Sequence, residues 1–215
     1  MHTITLTTQK GGSGKTTLAT SLAVAAAEAG ERVLALDLDP QGSLTRWGEL
    51  REAEAPDAVE IHVEAFPAEH IARLPDMIGG LSAKGFSLVL IDTAGADNTA
   101  THRAMQAASY CLVPIRPTRI DGMAVQETVR ALMRGDKRFA FVLNQCPTSA
   151  RSSRAADMAK GLTTLGFLAE PAIGARADYQ DAFSAGLGVT EYAPQSRAAD
   201  EIRSLWKWLH KAIAK

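Results

Sequence analysis

The fold is decided by one stretch of sequence, Gln9-Lys10-Gly11-Gly12-Ser13-Gly14-Lys15-Thr16-Thr17. It follows a β-branched run over residues 3–8 and precedes an alanine-rich helical pattern that ends near Gly30. A strand, a glycine-rich turn and a helix in this order are the context of a phosphate-binding loop. Glycine lets the backbone point successive N–H groups at one anion, and the helix N-terminus adds about half a positive charge there. The stretch therefore predicts a site for a nucleoside triphosphate.

Two side chains of this loop have specific predicted roles. Lys15 is expected to reach the β- and γ-phosphates, and the Thr16 hydroxyl is expected to bind Mg²⁺. The other residues expected to contact the nucleotide are Gly11, Gly12, Ser13, Gly14 and Thr17. The standard pattern, G-x-x-x-x-G-K-S/T, begins with glycine, whereas this chain has Gln9 there, followed by Lys10. A second lysine at the front of the loop is the deviant Walker A signature.

Composition limits the class of protein. A chain of 215 residues with 46% hydrophobic residues suits a single α/β domain spanning residues 1–215. The net charge of −1 excludes a globally basic nucleic-acid binder, so any DNA affinity must come from a local patch. Two cysteines imply no disulfide framework, and the N-terminal residues lack the layout of a signal peptide. No apolar run approaches the length of a membrane span. We expect a cytoplasmic protein.

Strand and helix patterns alternate along the chain. The predicted strands cover residues 3–8, 32–39, 59–66, 86–92, 110–115, 138–143 and 167–173. The predicted helices cover the segment after the loop to residue 30, then 43–50, 68–84, 98–108, 121–134, 149–165 and a last helix from about residue 196. Alternation of this kind favours a P-loop NTPase fold, with a mostly parallel twisted sheet of about seven strands and helices on both faces.

Carboxylates follow two of the predicted strands. Asp92 ends an apolar strand, where a Walker B acid would bind Mg²⁺ opposite Thr16. Asp37 and Asp39 point to the same side of their strand because side chains alternate with period two. Such a pair can order the attacking water, contribute to the metal site through Asp39, and balance the charge of Lys10. The alternatives are a helix-capping acid at Asp92 and surface acids at the other two positions.

Three motifs together resemble the ParA-type partition ATPases of the deviant Walker A superfamily. They are KGGSGKTT over residues 10–17, LDLDPQGS over 36–43 and LVLIDTAG over 88–95. The resemblance continues through PIRPTRID over 114–121, an asparagine at a strand end, and Arg176 with the GLGVTEYAP segment over 186–194. It covers nearly the whole chain and is strongest for the small form without an N-terminal helix-turn-helix domain. One departure is Thr93-Ala94-Gly95, where many relatives have two prolines.

The resemblance implies roles for individual residues. Lys10 would cross a dimer interface to the partner's ATP, and Asp39 would be the acid most needed for hydrolysis, supported by Asp37. Asn144 would recognise adenine. Pro117 and Asp121 would lie beside the nucleotide. The implied ligands are ATP or ADP with Mg²⁺.

The implied function is an ATP-dependent partition or positioning switch. ATP binding would form a homodimer that binds DNA non-specifically, so the ATP-bound protein would associate with the nucleoid. A ParB-like centromere-binding protein or a cargo adaptor would stimulate slow ATP hydrolysis. The sequence does not decide whether the cargo is plasmid or chromosomal DNA or a protein assembly. Two alternatives are a membrane-cycling, MinD-like regulator of the division site and a scaffold that binds nucleotide with little turnover.

The last helical pattern does not identify what the helix contacts. Apolar residues lie on one face, and a neighbouring stripe carries basic residues at steps of four: Arg203, Lys207, Lys211 and Lys215. The stripe is consistent with a solvated helix face, with DNA phosphate contacts, or with a membrane-surface helix that uses Trp206 and Trp208. Arg151 and Arg154 could extend a DNA patch. We expect no membrane partner.

Two other activities of the superfamily are disfavoured. Iron-protein relatives hold a cluster with cysteines on both sides of the Walker B acid in sequence. Here Cys111 and Cys146 both follow Asp92, and buried free cysteines are the ordinary interpretation. The metabolic synthetases of the superfamily lack the front lysine, Lys10.

Overall fold

A computed structural model describes residues 1–149 and 153–214 of the chain. Within these residues, seven strands form one sheet in the order β3-β2-β4-β1-β5-β6-β7, and every neighbouring pair is parallel. The strands are β1 His2–Leu6, β2 Val33–Asp37, β3 His62–Ala65, β4 Leu88–Asp92, β5 Tyr110–Ile115, β6 Phe139–Leu143 and β7 Phe167–Leu168. The predicted parallel sheet of about seven strands is confirmed.

Nine α-helices lie within the described residues. They are α1 Lys15–Glu28, α2 Ser43–Glu54, α3 Leu74–Leu81, α4 Thr99–Ala107, α5 Arg119–Arg134, α6 Arg154–Leu162, α7 Asp178–Ser184, α8 Val189–Tyr192 and α9 Arg197–Ile213. Two short 3-10 segments, Ala68–Arg73 and Ser82–Lys84, flank α3.

Both faces of the sheet are covered, because successive side chains of its central strands point to opposite sides. On β5, Leu112 packs in a cluster with α1, α7, α8 and α9, whereas its neighbour Cys111 packs with α5 and α6 on the other face. Helix α2 packs through Trp47 on the face that α1 covers, and α3 packs through Leu74 on the opposite face. The predicted helices on both faces are confirmed.

The carboxyl ends of the central strands meet at one edge of the sheet. Strand β1 lies between β4 and β5, and the strand order reverses around it. Leu6, at the end of β1, is in register with Asp92, and Asp92 is in register with Asp37 of β2. A crevice at such a reversal is where open α/β sheets bind ligands, and the glycine-rich loop begins there.

The boundaries differ from prediction where tertiary contacts, not local patterns, stabilise the chain. Strand β7 has two residues instead of seven, and residues 150–152 of the predicted 149–165 helix lie outside the described residues. Helix α5 begins two residues earlier than predicted because the Thr118 side chain caps it. Helices α7 and α8 were not predicted. They have seven and four residues and little periodicity, and they are held by packing on neighbouring helices.

Candidate functional site

The glycine-rich loop needs glycine for two separate reasons. Gly12 and Gly14 have φ of +74° and +83°, values that side-chain-bearing residues rarely adopt. A β-carbon at Gly14 would also lie 2.4 Å from the Asn144 Nδ2 atom. Gly14 precedes the first residue of α1 and provides no side-chain cap, so the N–H groups of the first turn remain available to an anion.

Lys15 is buried at the front of α1, with 6% of its surface exposed. Its ammonium lies 3.4 Å from the Lys10 carbonyl oxygen and so holds the two ends of the loop together. Burial lowers the pKa of Lys15, while the nearby Asp92 and Asp39 oppose this shift. A desolvated cation of this kind favours the approach of a phosphate.

Asp92 lies at the end of β4 and is fully buried. The Thr16 hydroxyl donates a 2.6 Å hydrogen bond to its Oδ2 atom, while Oδ1 has no hydrogen-bond partner among the described residues. Burial raises the pKa of Asp92 to about 7. A carboxylate and a hydroxyl side by side, with one carboxylate oxygen free, suit Mg²⁺, which needs few protein ligands when phosphate and water complete its shell.

The two acids after β2 have different environments. Asp37 is buried, and its carboxylate accepts hydrogen bonds from the Asp39 amide, the Thr45 amide and the Thr45 hydroxyl. Asp39 is partly exposed, accepts one bond from the Gln41 amide, and lies near enough to affect the pKa values of Lys15 and Asp92. Asp37 therefore braces the turn into α2, whereas Asp39 faces the site.

In this structure Lys10 pairs with a third acid and contacts neither Asp37 nor Asp39. Its ammonium forms an ion pair with Asp121, and the Arg116 guanidinium donates to both oxygens of the same carboxylate at 2.7 and 3.2 Å. Burial alone would raise the pKa of Asp121, but the hydrogen bonds from Arg116, Lys10 and Thr118 hold it below its usual value. Pro117, between these groups, is buried.

Asn144 binds the loop itself. Its Nδ2 atom donates a 2.8 Å hydrogen bond to the Ser13 carbonyl, and its Oδ1 atom accepts one from the Gln145 amide. The Gln145 side chain donates to the Gly12 carbonyl at 3.2 Å. The end of β6 thus supports the back of the loop through two consecutive side chains, of which only Asn144 was predicted.

A cavity of about 400 Å³ opens beside these residues, a size that suits a small ligand. Its walls come from the loop, the end of β6, the segment before α7, and α7 itself. They are formed by Gly14, Thr17, Leu18, Asn144, Gln145, Ile173, Gly174, Ala175, Arg176, Ala177, Tyr179 and Gln180. Tyr179 and Gln180 were missed because nothing in the sequence indicated α7. Gln145 left a weak signal, since it directly follows an asparagine at a strand end.

Arg176 forms an ion pair with Glu201, which also accepts hydrogen bonds from the Tyr179 hydroxyl and the Gly174 amide. These contacts fix the outer wall of the cavity to α9.

The described residues predicted to contact DNA lie on two helices, α6 and α9. Arg154 is exposed on α6, whereas α9 packs on the opposite face of the sheet. The Arg203 guanidinium donates to the Pro194 and Thr190 carbonyls and lies 3.7 Å from Asp200. Lys207 and Lys211 are exposed, and Arg151 and Lys215 lie outside the described residues.

Two further observations concern the alternatives for α9 and for the cysteines. Trp206 is 5% exposed and packs in the core, so it does not present an aromatic surface. None of the described helices has the combination of length and apolar composition needed to cross a membrane.

Cys111 and Cys146 are buried and free, and burial raises their pKa values to about 12 and about 11.

Similarity to known proteins agrees with this geometry. A family model described as the CobQ/CobB/MinD/ParA nucleotide binding domain matches residues 4–178. The chain is 28% identical over 211 residues to the maintenance of carboxysome distribution protein A of Halothiobacillus neapolitanus, with 94% of each chain covered. It is 32% identical over 136 residues to the chromosome-partitioning ATPase Soj of Thermus thermophilus, with 53% of this chain and 54% of that protein covered.

A similarity in structure extends over the whole sheet. The septum site-determining protein MinD of Pyrococcus horikoshii, solved in complex with Mg-ADP, superposes with a TM-score of 0.76 at 20% identity. The superposition covers 98% of this chain and 96% of that one, and at this identity it shows a shared fold. Together with the sequence matches, it confirms the resemblance drawn from the motifs.

Proposed function

The chain belongs to the CobQ/CobB/MinD/ParA family of nucleotide-binding domains, and we propose that it is an ATPase whose nucleotide state switches it between a monomer and a DNA-bound dimer. One observation carries the proposal. Lys15, Thr16, Asp39 and Asp92 converge at the carboxyl end of the sheet, directly beside a cavity large enough for a base.

ATP would bind with its adenine in the cavity near Asn144 and Tyr179 and with its phosphates over the N-terminus of α1. The backbone N–H groups of the loop and the buried ammonium of Lys15 would bind the β- and γ-phosphates. Because Lys15 is already desolvated, little further desolvation is needed when the phosphates arrive.

Thr16 and Asp92 would hold Mg²⁺, since the Asp92 Oδ1 atom has no hydrogen-bond partner within the described part of the chain and the threonine hydroxyl is bound to the same carboxylate. Bound there, Mg²⁺ would neutralise phosphate charge. Asp39 would orient the attacking water, because its carboxylate is partly exposed and lies near both Lys15 and Asp92. Asp37 would hold the turn that carries Asp39.

Lys10 would complete the site of a second copy of the chain. Its side chain is 28% exposed at the front of the loop, so it can reach outward once it leaves Asp121. A cation supplied by a partner subunit at the γ-phosphate accelerates phosphoryl transfer, which makes hydrolysis depend on association. The slow rate of hydrolysis would then set the lifetime of the dimer.

The dimer would bind DNA without sequence preference, using the exposed Lys207 and Lys211 of α9. An adaptor protein would stimulate hydrolysis and link the switch to its cargo. The relative that aligns over 94% of both chains is named for carboxysome distribution, which favours a protein assembly over plasmid or chromosomal DNA as that cargo.

Sedimentation and DNA binding test the proposed switch. Sedimentation velocity should show a monomer with Mg-ADP and a dimer with a non-hydrolysable ATP analogue and Mg²⁺. DNA should bind only the second species, with affinity that falls steeply between about 50 and 200 mM salt.

Phosphate release should be detectable with ATP and should rise with DNA and an adaptor. No release under any condition would indicate a nucleotide-binding scaffold. ATP-dependent sedimentation with anionic liposomes, in place of DNA binding, would indicate a membrane-cycling regulator.

A further inference from the structure

A second cavity, of about 520 Å³, lies at the edge of the sheet opposite the glycine-rich loop. Three of its lining residues, Tyr110, Phe139 and Phe167, are the first residues of β5, β6 and β7. These strands are parallel, so their first residues share the amino edge of the sheet, whereas the loop lies at the carboxyl edge. Strand β5 has six residues, so at about 3.3 Å per residue its ends lie roughly 17 Å apart. An occupant of this amino-edge cavity would not touch a bound nucleotide.

The walls of the amino-edge cavity are mostly apolar, and its apolar surface continues outward. Beside the three aromatic strand residues, they consist of Lys137, Arg138, Leu165, Gly166, Trp208, Lys211 and Ala212. Phe167 is 76% exposed and Leu165 is 41% exposed. Continuous apolar surface of this kind marks interaction sites. A small molecule confined to the cavity would leave Phe167 and Leu165 in water, so the surface suits a longer, peptide-like occupant.

The charged side chains that line the amino-edge cavity are all cationic, and no carboxylate of the described residues lines it. Lys137 and Arg138 donate hydrogen bonds to main-chain carbonyl groups, and Lys211 is exposed. Because a carbonyl group has no net charge, an occupant with carboxylates would supply the missing negative charge. Phosphates of duplex DNA could also pair with these cations but would leave the aromatic walls uncovered. The combination of cations and aromatic walls favours an acidic protein segment.

We propose that the amino-edge cavity binds an acidic segment of the adaptor protein. An aromatic or leucine side chain of the segment would lie against Tyr110 and Trp208, and its carboxylates would face Lys137, Arg138 and Lys211. This inference rests on the proposed function, in which an adaptor acts on the switch. Because the cavity is remote from the nucleotide, the segment would bind in either nucleotide state. It would act as a tether that raises the local concentration of the part of the adaptor that stimulates hydrolysis.

Selection from a library of displayed random peptides tests the site. The target is the wild-type protein with Mg-ADP, and Phe167→Ala serves for counter-selection, since a side chain that is 76% exposed can be shortened without loss of the fold. The retained peptides should carry aspartate or glutamate next to aromatic residues or leucine. They should still bind Met123→Ala, the matched control, because Met123 is 73% exposed on α5 and does not line the cavity.

Charge reversal tests the cationic part of the site independently. Lys211→Glu should weaken binding of the retained peptides about tenfold, because it replaces an attraction at the surface by a repulsion. Lys84→Glu should leave their affinity unchanged, since Lys84 is an exposed lysine outside the cavity. Retained peptides without an acidic bias, or equal effects of the two reversals, would overturn the proposal.

Other occupants of the amino-edge cavity would give different results. Self-association with Mg-ADP that Phe167→Ala abolishes would assign the surface to a second copy of the chain. ATP-dependent DNA binding that Phe167→Ala weakens would assign it to DNA, and either result would overturn the proposal. The peptide experiments need neither ATP nor DNA. Acidic peptides that bind as expected to a protein that neither dimerises nor hydrolyses ATP would therefore overturn the proposed function alone.

Discussion

The Lys10 ammonium forms an ion pair with the Asp121 carboxylate, although the two residues lie 111 positions apart in the chain. The same carboxylate is held by Arg116, so Asp121 keeps a cationic partner when Lys10 leaves. The lysine expected to act on a second subunit is thus bound within its own subunit in this structure. Dimer formation would require exchange of this ion pair.

Asp121→Asn should therefore favour the dimer. Removing the carboxylate charge releases Lys10, and a partly exposed pair of this kind contributes about 1 kcal/mol. A homodimer contains two such pairs, so the dimer dissociation constant should fall about 30-fold. Sedimentation equilibrium with a non-hydrolysable ATP analogue measures it. The control is Asp57→Asn, an exposed carboxylate far from the site in sequence, which should behave as wild type. A weaker dimer in Asp121→Asn would mean that the pair supports association.

Lys15→Ala should lower the affinity for nucleotide without lowering the stability of the fold. The charge-assisted hydrogen bonds to phosphate are worth about 3 kcal/mol, so ADP affinity should fall about 100-fold. The melting temperature without nucleotide should stay the same or rise, because burial already disfavours the charge on Lys15. Calorimetric titration and thermal melting measure the two effects. Unchanged ADP affinity would remove Lys15 from the phosphate site.

Asp39→Asn should bind ATP normally but hydrolyse it about 100-fold more slowly, the usual loss when a group that positions water or accepts its proton is removed. The asparagine oxygen can still accept the hydrogen bond from the Gln41 amide, so the turn is preserved. ATP should then hold the variant as a long-lived dimer. Phosphate release and gel filtration with ATP test this, and normal turnover would show that another group positions the water.

Asp92→Asn should abolish the effect of Mg²⁺ on ATP binding without lowering the stability of the fold. The buried carboxylate has one oxygen without a partner among the described residues, so an uncharged amide should keep or raise the melting temperature measured in EDTA. Mg²⁺-dependent tightening of ATP binding should be lost. A titration of ATP with and without Mg²⁺ checks the second effect. Retained Mg²⁺ dependence would assign the metal to other oxygens.

The two thiols should be unreactive in the folded protein over the ordinary pH range. Burial raises the pKa of Cys111 to about 12 and that of Cys146 to about 11, so the thiolate fraction is small below pH 10 and grows about tenfold per pH unit. In the unfolded chain the fraction levels off above pH 9. Alkylation by iodoacetamide between pH 7 and 10, with and without urea, measures this. Fast native labelling at pH 8 would show an accessible, activated cysteine.

Much of the site could be predicted because its chemistry is local in sequence. The loop from Lys10 to Thr17 and the acid at the end of β4 are motifs whose geometry follows from a strand, a turn and a helix. The parallel sheet followed from alternation of strands and helices. Asp39 lies near Lys15 because the carboxyl ends of neighbouring parallel strands share an edge.

The rest depended on contacts that no local pattern contains. The partner of Lys10 is distant in sequence, and the hydrogen bonds of Asp37 come from Thr45, in the next helix. The basic stripe on α9 has the right spacing, yet Arg203 is bound to carbonyl groups that only the folded chain brings close. Helix α7, which walls the cavity, has too few residues to show a period.

The cavity also has a consequence for synthesis of the protein. Its walls combine Gly14 and Thr17 with Asn144 and with Tyr179 and Gln180, so the cavity unites the beginning of the chain with segments made much later. A nascent chain carries its glycine-rich loop from the first moments of translation, but one wall of the cavity is missing until residue 180 has left the ribosome. The complete cavity, in which we propose that adenine binds, therefore arises late in translation, after all seven strands have been made.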